Sequence, residues 1–209
     1  MSATLLPASS HRRVPWKNGG GYTTELVVRP DDDATGSAQG PFTWRLSIAT
    51  VDRDGGFSAF PGVDRSLMAL SPGGLGLVDG GHPVALGRYG VHRFAGENDV
   101  AATGVTVPTL DLNLMTRRDA CTGVLEHLRL DAPAGTPREL AAPPGGAVVV
   151  VLLAGTLHVD DQLLKPHDAV LIERTGQADD GALRLSGAAD VAVASVYPLP
   201  GEGFTRTVS

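Results

Sequence analysis

The stretch GLGLVDGGHPVALGRYGVHRFAG, Gly74–Gly96, can be laid over GTLHVDDQLLKPHDAVLIERTG, Gly155–Gly176, so that Val78-Asp79-Gly80 falls on Val159-Asp160-Asp161. Each copy reads as an apolar strand, a tight turn rich in Gly or Asp, a second strand and a further turn. Such self-similarity, about 80 residues apart, is the mark of a duplicated supersecondary unit. The reading that follows is all-β, with two small antiparallel barrels in one chain.

Strands of the same kind lie on either side of these copies. In TWRLSIATV, Thr43–Val51, the residues Trp44, Leu46, Ile48 and Thr50 alternate with Arg45, Ser47, Ala49 and Val51, so the two sets point to opposite faces. In LDLNLMTRR, Leu110–Arg118, the residues Leu110, Leu112 and Leu114 alternate with Asp111, Asn113 and Met115. That second face is partly polar and suited to lining a cavity. SLMAL, PVALG, VLEHLRL, AVVVVLLAG, AVLIE, ALRLS and DVAVASVYPL are further strand candidates, and the best helical window, PRELAA from Pro137, is one turn long. The loops RPDDDATGSAQGP, Arg29–Pro41, and APAGTPRELAAPPGG, Ala132–Gly146, read as exposed connections, the second joining the two barrels.

Composition agrees. The 209 residues include 27 Gly and 15 Pro, roughly a fifth of the chain where an eighth is usual, which favours turns over long helices. Hydrophobic residues reach 42% and the mean hydropathy is +0.03, enough for a sizeable core. AVVVVLLAG is interrupted at Gly155, well short of the length needed to span a bilayer, and MSATLLPASSHRRVP lacks the order of segments of a secretory signal. No membrane association and a cytoplasmic location are therefore expected. The formal charge of −6 argues against nucleic acid, whose affinity comes from clustered Lys and Arg. The single cysteine, Cys121, excludes an internal disulfide and reads as structural.

Two motifs carry chemistry. WKNGGGYTTEL, Trp16–Leu26, surrounds three glycines with Trp16, Asn18, Thr23 and Glu25, a stacking surface and hydrogen-bonding groups; it stands between a structural turn and a ligand loop. It lacks the residues of a phosphate-binding loop. In FSAFPGVDR, Phe57–Arg65, Pro61 and Gly62 form a turn and Asp64 and Arg65 follow it. Neighbours on a strand face opposite ways, so either the two form a structural pair or one of them, such as Arg65, turns inward to grip a carboxylate at two points. The six histidines include no His-x-His and no H-E-x-x-H, so no metal and no cofactor are expected.

Taken together, WKNGGGYTTEL, WRLSIATVDRDGGFSAFPGVDRSLMAL and DLNLMTRR, in this order and spacing, resemble the HutD/Ves family over about Trp16 to Arg118. The resemblance implies a bicupin: one compact unit over residues 1–209 of two cupin-like jelly-roll β-barrels, an N-terminal lobe at about 10–120 and a C-terminal lobe at about 121–200, without a metal centre. For HutD members it implies a link to histidine utilisation through a bound intermediate such as N-formyl-L-glutamate, limiting pathway flux rather than catalysing a step. The family's pocket is associated with the arginine of FPGxDR, here Arg65. Asn18, Arg45 and Asn113 join it from the strand reading, each offering a donor to a small carboxylate.

Two expectations follow. The first is a non-catalytic binding protein with no catalytic residues. The alternative is a metal-free isomerase or hydrolase of a small acid, with Glu25, His82 or His92 as general base. Pairing of β edges into a homodimer is a further expectation.

Overall fold

The structure, a computed structural model, describes residues 2–16, 21–30, 42–132, 137–174 and 182–200. The strands in chain order are β1 (Ser2–Leu6), β2 (Arg12–Pro15), β3 (Gly21–Pro30), β4 (Phe42–Val51), β5 (Gly55–Gly56), β6 (Val63–Ala69), β7 (Leu75–Asp79), β8 (His82–Leu86) and β9 (Val91–Ala95). There follow β10 (Val100–Thr103), β11 (Thr109–Arg117), β12 (Cys121–Ala132), β13 (Arg138–Leu140), β14 (Ala147–Val159), β15 (Gln162–Leu164), β16 (Ala169–Glu173) and β17 (Leu183–Pro198). The fold is all-β, and a single 3-10 turn at Ala8–Ser10 is the only helical element among the described residues. Contacts divide the chain into one unit at Arg12–Leu125 and another made of Met1–His11 with Glu126–Ser209.

The first unit holds two antiparallel sheets. One has six strands in the order β2-β3-β4-β11-β6-β9, the other four in the order β5-β10-β7-β8. The alternation in β4 and β11 places Trp44, Leu46, Ile48, Leu112 and Leu114 on one buried face of the larger sheet. The other face turns toward the smaller sheet: Val51, Leu67 and Ala69 pack with Leu75, Leu77, Val100 and Ala102, and Phe94 closes the cluster. Leu67 and Leu77 are fully buried there, each contributing about 1.5–3 kcal/mol relative to an exposed position.

The second unit is one seven-stranded sheet, ordered β1-β16-β14-β17-β12, with β13 on β17 and β15 on β14. Its hydrophobic core is built from Val148, Val150, Leu152, Leu157, Val159, Leu164, Val170, Ile172, Leu183, Leu185, Val191 and Val193. ALRLS and DVAVASVYPL, separate strands by sequence, form the single strand β17. It follows β14 across a register shift between Leu152 and Ala154. The PRELAA window is not helical: Arg138–Leu140 pairs with Leu185–Leu183 of β17. One turn of helix fixes too few hydrogen bonds to compete with a ready strand edge. Residues 2–6, which the sequence reading leaves outside both lobes, pair with β16. The Ala8 backbone N–H then donates to Asp168 Oδ1 at 2.8 Å.

The repeated hairpins are both present. β7 turns into β8, with Asp79 opposite His82, and the end of β14 turns into β15, with Val159 opposite Gln162. Each copy begins at a glycine in the left-handed region, Gly74 at φ 75° and Gly155 at φ 87°. A Cβ at Gly74 would sit 2.0 Å from the Leu86 carbonyl oxygen, and one at Gly155 2.2 Å from that of Ala188. Both positions require glycine for conformation and for space. Gly155→Ala is therefore expected to lower the unfolding free energy by about 2 kcal/mol or more, read from the urea midpoint of the purified chain.

Candidate functional site

On the inner face of the six-stranded sheet the register arranges side chains in cross-strand rows. Thr23, Ala49, Asp111 and Ala69 form one row. Glu25, Ser47, Asn113, Leu67 and His92 form the next, and Val28, Arg45, Met115, Arg65 and Phe94 a third. Directly opposed residues share a face, so these rows bring polar and charged groups, among them Arg45, Arg65, Asp111 and Asn113, to the interior side. Alanine and serine flank Asp111 and Asn113 where the aliphatic half of the core ends.

Arg45 and Arg65 lie on either side of Met115 and are lined by aromatic rings. The Arg65 guanidinium carbon is 4.9 Å from the Phe94 ring centroid, 5.4 Å from Phe57 and 5.6 Å from Phe60. That of Arg45 is 5.0 Å from Phe42 and 5.6 Å from Phe60, so the Phe60 ring serves both cations. Arg65 Nη1 donates to the Ser58 carbonyl at 3.4 Å, and Arg45 Nη2 approaches Met115 Sδ at 3.0 Å. Neither Nε has a hydrogen-bond partner among the described residues. Arg65 is 6% exposed, and burial lowers its guanidinium to about 10, with Asp111 opposing and Arg45 adding to the shift. Burial lowers Arg45 too, against the pull of Glu25.

Asp111 is 1% exposed and Asn113 6%, and the Oδ1 of each lacks a partner among the described residues. Burial pushes the Asp111 carboxyl up to about 7, although Arg65 favours its ionised form. A buried and a half-buried cation in one row are costly unless anions compensate them; Glu25 is coupled to Arg45 and Asp111 to Arg65.

The two sequence motifs meet here. Trp16 donates from Nε1 to Thr23 Oγ1 at 2.8 Å and meets Phe57 edge-on, with centroids 6.3 Å apart. The FPG turn is held from outside: Gly62 N–H donates to Glu97 Oε1 at 2.9 Å, and Arg118 N–H to the Gly62 carbonyl at 2.9 Å. The Arg118 guanidinium bonds Asp64 at 2.5 Å and also pairs with Glu97. Its hydrogen bond holds the Glu97 carboxyl down at about 2. The open choice at Asp64-Arg65 thus resolves: Asp64 is exposed and its partner is Arg118, while Arg65 turns inward.

Of the residues singled out from sequence, Arg65, Arg45 and Asn113 share this face, and Asn18 lies outside the described residues. Glu25 and His92 are on the same face; His82 is exposed on β8. His92 Nε2 lies 2.9 Å from Asp79 Oδ2, and its ring stacks on Phe94 at 5.5 Å. Among the described residues no three His, Cys, Asp or Glu converge as metal ligands would. Cys121 is buried, its Sγ 3.5 Å from the Thr43 carbonyl, and burial pushes the thiol up to about 11. Sequence reasoning missed Asp111 as a site residue, although the alternation of DLNLMTRR already puts it on the face of Asn113.

Comparison with known proteins finds consistent relatives. The family model HutD matches residues 8–193. An uncharacterised 21.2 kDa protein in the hutC 3′ region of Pseudomonas putida is 32% identical over 184 residues, covering 88% of this chain and 86% of the relative. Protein Ves of Cronobacter sakazakii is 35% identical over 153 residues, 72% of this chain and 76% of that one. The structure of HutD from Pseudomonas fluorescens superposes with a TM-score of 0.78 at 25% identity, covering 94% of this chain and 99% of the other.

The raised Asp111 carboxyl has a signed consequence for stability. Between its ordinary value of 3.8 and about 7 the folded chain keeps a proton that the unfolded chain has lost. Its contribution to stability therefore falls as the pH rises across that window and levels off above it. Asp111→Asn removes this slope: relative to the parent, the variant is expected to gain in urea midpoint between pH 4 and pH 8. A constant difference between the two proteins would refute the assignment.

Proposed function

The chain belongs to the HutD family, and from that premise we propose that it is a non-catalytic binding protein for a small carboxylate such as N-formyl-L-glutamate, limiting flux through histidine utilisation. The observation that carries this reading is the row in which Arg45 and Arg65 flank Met115, each with an Nε donor that has no partner among the described residues. A carboxylate seated between them neutralises two desolvated cations and supplies the missing acceptors. Asn113, one row away, is the orienting group. The location of the P. putida relative in the hutC 3′ region supports the metabolic context. In the same proposal the two units are cupin-like jelly-roll lobes, with the ligand in the N-terminal one.

A second reading has one observation in its favour. His92, hydrogen-bonded to Asp79 at 2.9 Å, lies on the face that holds the arginines and is an oriented candidate base for an isomerase or hydrolase. Turnover of histidine-pathway acids, lost in His92→Gln, would establish it.

A charge-assisted hydrogen bond contributes about 1.5–3 kcal/mol, so removing one weakens binding about ten- to a hundred-fold. Calorimetry with N-formyl-L-glutamate, urocanate and L-glutamate is expected to give saturable heat with at least one acid. Arg65→Ala then binds it at least ten-fold more weakly, and Arg65→Lys falls between. Absence of heat with all three, or unchanged affinity in Arg65→Ala, overturns the reading.

A further inference from the structure

Among the described residues, the inner face of the six-stranded sheet holds four polar atoms without partners, and they are of two kinds. Nε of Arg45 and Nε of Arg65 are donors; Oδ1 of Asp111 and Oδ1 of Asn113 are acceptors. The acceptors stand one and two rows from the arginine row, on the strand between those that carry the arginines. Adjacent same-face rows are about 7 Å apart at the backbone. The Arg65 guanidinium couples electrostatically to Asp111, two rows away. A simple carboxylate answers the donors alone. It leaves both acceptors orphaned and brings a further negative charge to a face that already holds Asp111 and Glu25.

Resting on the anion-site reading above, we propose that the site takes an acid that also carries an N–H donor, its carboxylate on Arg45 and Arg65 and its N–H toward Asp111 and Asn113, and that Asp111 is the residue that rejects nitrogen-free dicarboxylic acids. A site built to receive a hydrogen bond discriminates strongly against the analogue that lacks it, because its own buried group is then left unpaired. The ligand class is therefore amino acids and acylamino acids of short chain length. Asp111 is the discriminating group because its charge is conditional: ionised, it demands a donor and repels a second carboxylate; protonated, it does neither. Besides Asp111, the charged and titratable groups that the described strands bring to this face are Arg65 from β6, Arg45 from β4, Glu25 from β3, Arg12 from β2 opposite Glu25, and His92 from β9, the last paired with Asp79 of β7. β10 contributes no titratable side chain.

The test is titration calorimetry of the full chain with N-formyl-L-glutamate, L-glutamate and glutarate, which share a five-carbon diacid skeleton and differ in the nitrogen. At pH 8 at least one nitrogen-bearing acid is expected to bind about ten-fold or more tightly than glutarate, and in Asp111→Asn the gap closes to within about three-fold. Glutarate binding by the parent strengthens from pH 8 to pH 6, and that change is absent in Asp111→Asn, which separates Asp111 from Glu25 and His92. Glutarate matching both nitrogen-bearing acids in the parent at pH 8, or a gap that survives in Asp111→Asn, overturns the inference while leaving the anion site intact. Binding of none of the three removes the anion site itself, and this inference with it. Should Asp111→Asn not fold, the pH arm on the parent decides: glutarate affinity unmoved between pH 8 and pH 6 overturns the proposal.

Discussion

Two guanidinium groups placed in one row of a sheet, on the side that faces another sheet, form the constraint around which the first unit is organised. Arg45 and Arg65 stand on either side of Met115, and desolvation lowers both. Cations in that position are tolerated only when their surroundings answer them. Four aromatic rings present faces to them, with Phe60 shared, and Glu25 and Asp111 bring opposite charge to the same side. The turn that delivers Phe60 and Arg65 is fastened from its outer side by Arg118, Asp64 and Glu97. Remove the buried cations and little of this arrangement has a reason to exist.

The two units place different chemistry inside their antiparallel sheets. In the second, Val148, Val150, Leu152 and Leu157 meet Leu183, Leu185, Val191 and Val193 with no polar side chain among them. That interior contributes stability through apolar burial. The first divides its interior: Leu67, Ala69, Leu75 and Leu77 form an aliphatic half, and the rows carrying Asp111, Asn113 and the arginines form a polar half. An apolar core tolerates polar atoms only when they are partnered, so the unpartnered atoms of the first unit are the informative ones.

Much of this was legible from period-two alternation, because strand side chains have only two directions to choose from. DLNLMTRR separates Leu112 and Leu114 from Asp111, Asn113 and Met115 without reference to any other strand, and WRLSIATV does the same for Arg45. The repeated hairpins were legible for a similar reason, since their turn residues lie within each copy. What escaped depends on pairing across long stretches of chain. Arg138–Leu140 looks like a helical turn until β17 is beside it, and Arg118 looks like a surface cation until the fold brings Asp64 and Glu97 to it. Asp111 was placed on the correct face but not recognised as part of the site. Its importance comes from complete burial beside Arg65, and burial belongs to the whole unit rather than to the strand.

The pairing of Ser2–Leu6 with Ala169–Glu173 bears on how the chain is made. β1 is synthesised well before β16, and at ordinary translation rates of about 5–20 residues per second the interval lasts roughly ten seconds to half a minute. All of Arg12–Leu125 is synthesised in that time and can fold ahead of the second unit. The short β1 segment meanwhile has an open edge of the kind that invites wrong partners. Its modest length and the Pro7 that ends it keep that exposure small until β16 arrives. The second unit is thus completed last at both of its ends, and the order of synthesis lets the first unit form ahead of it.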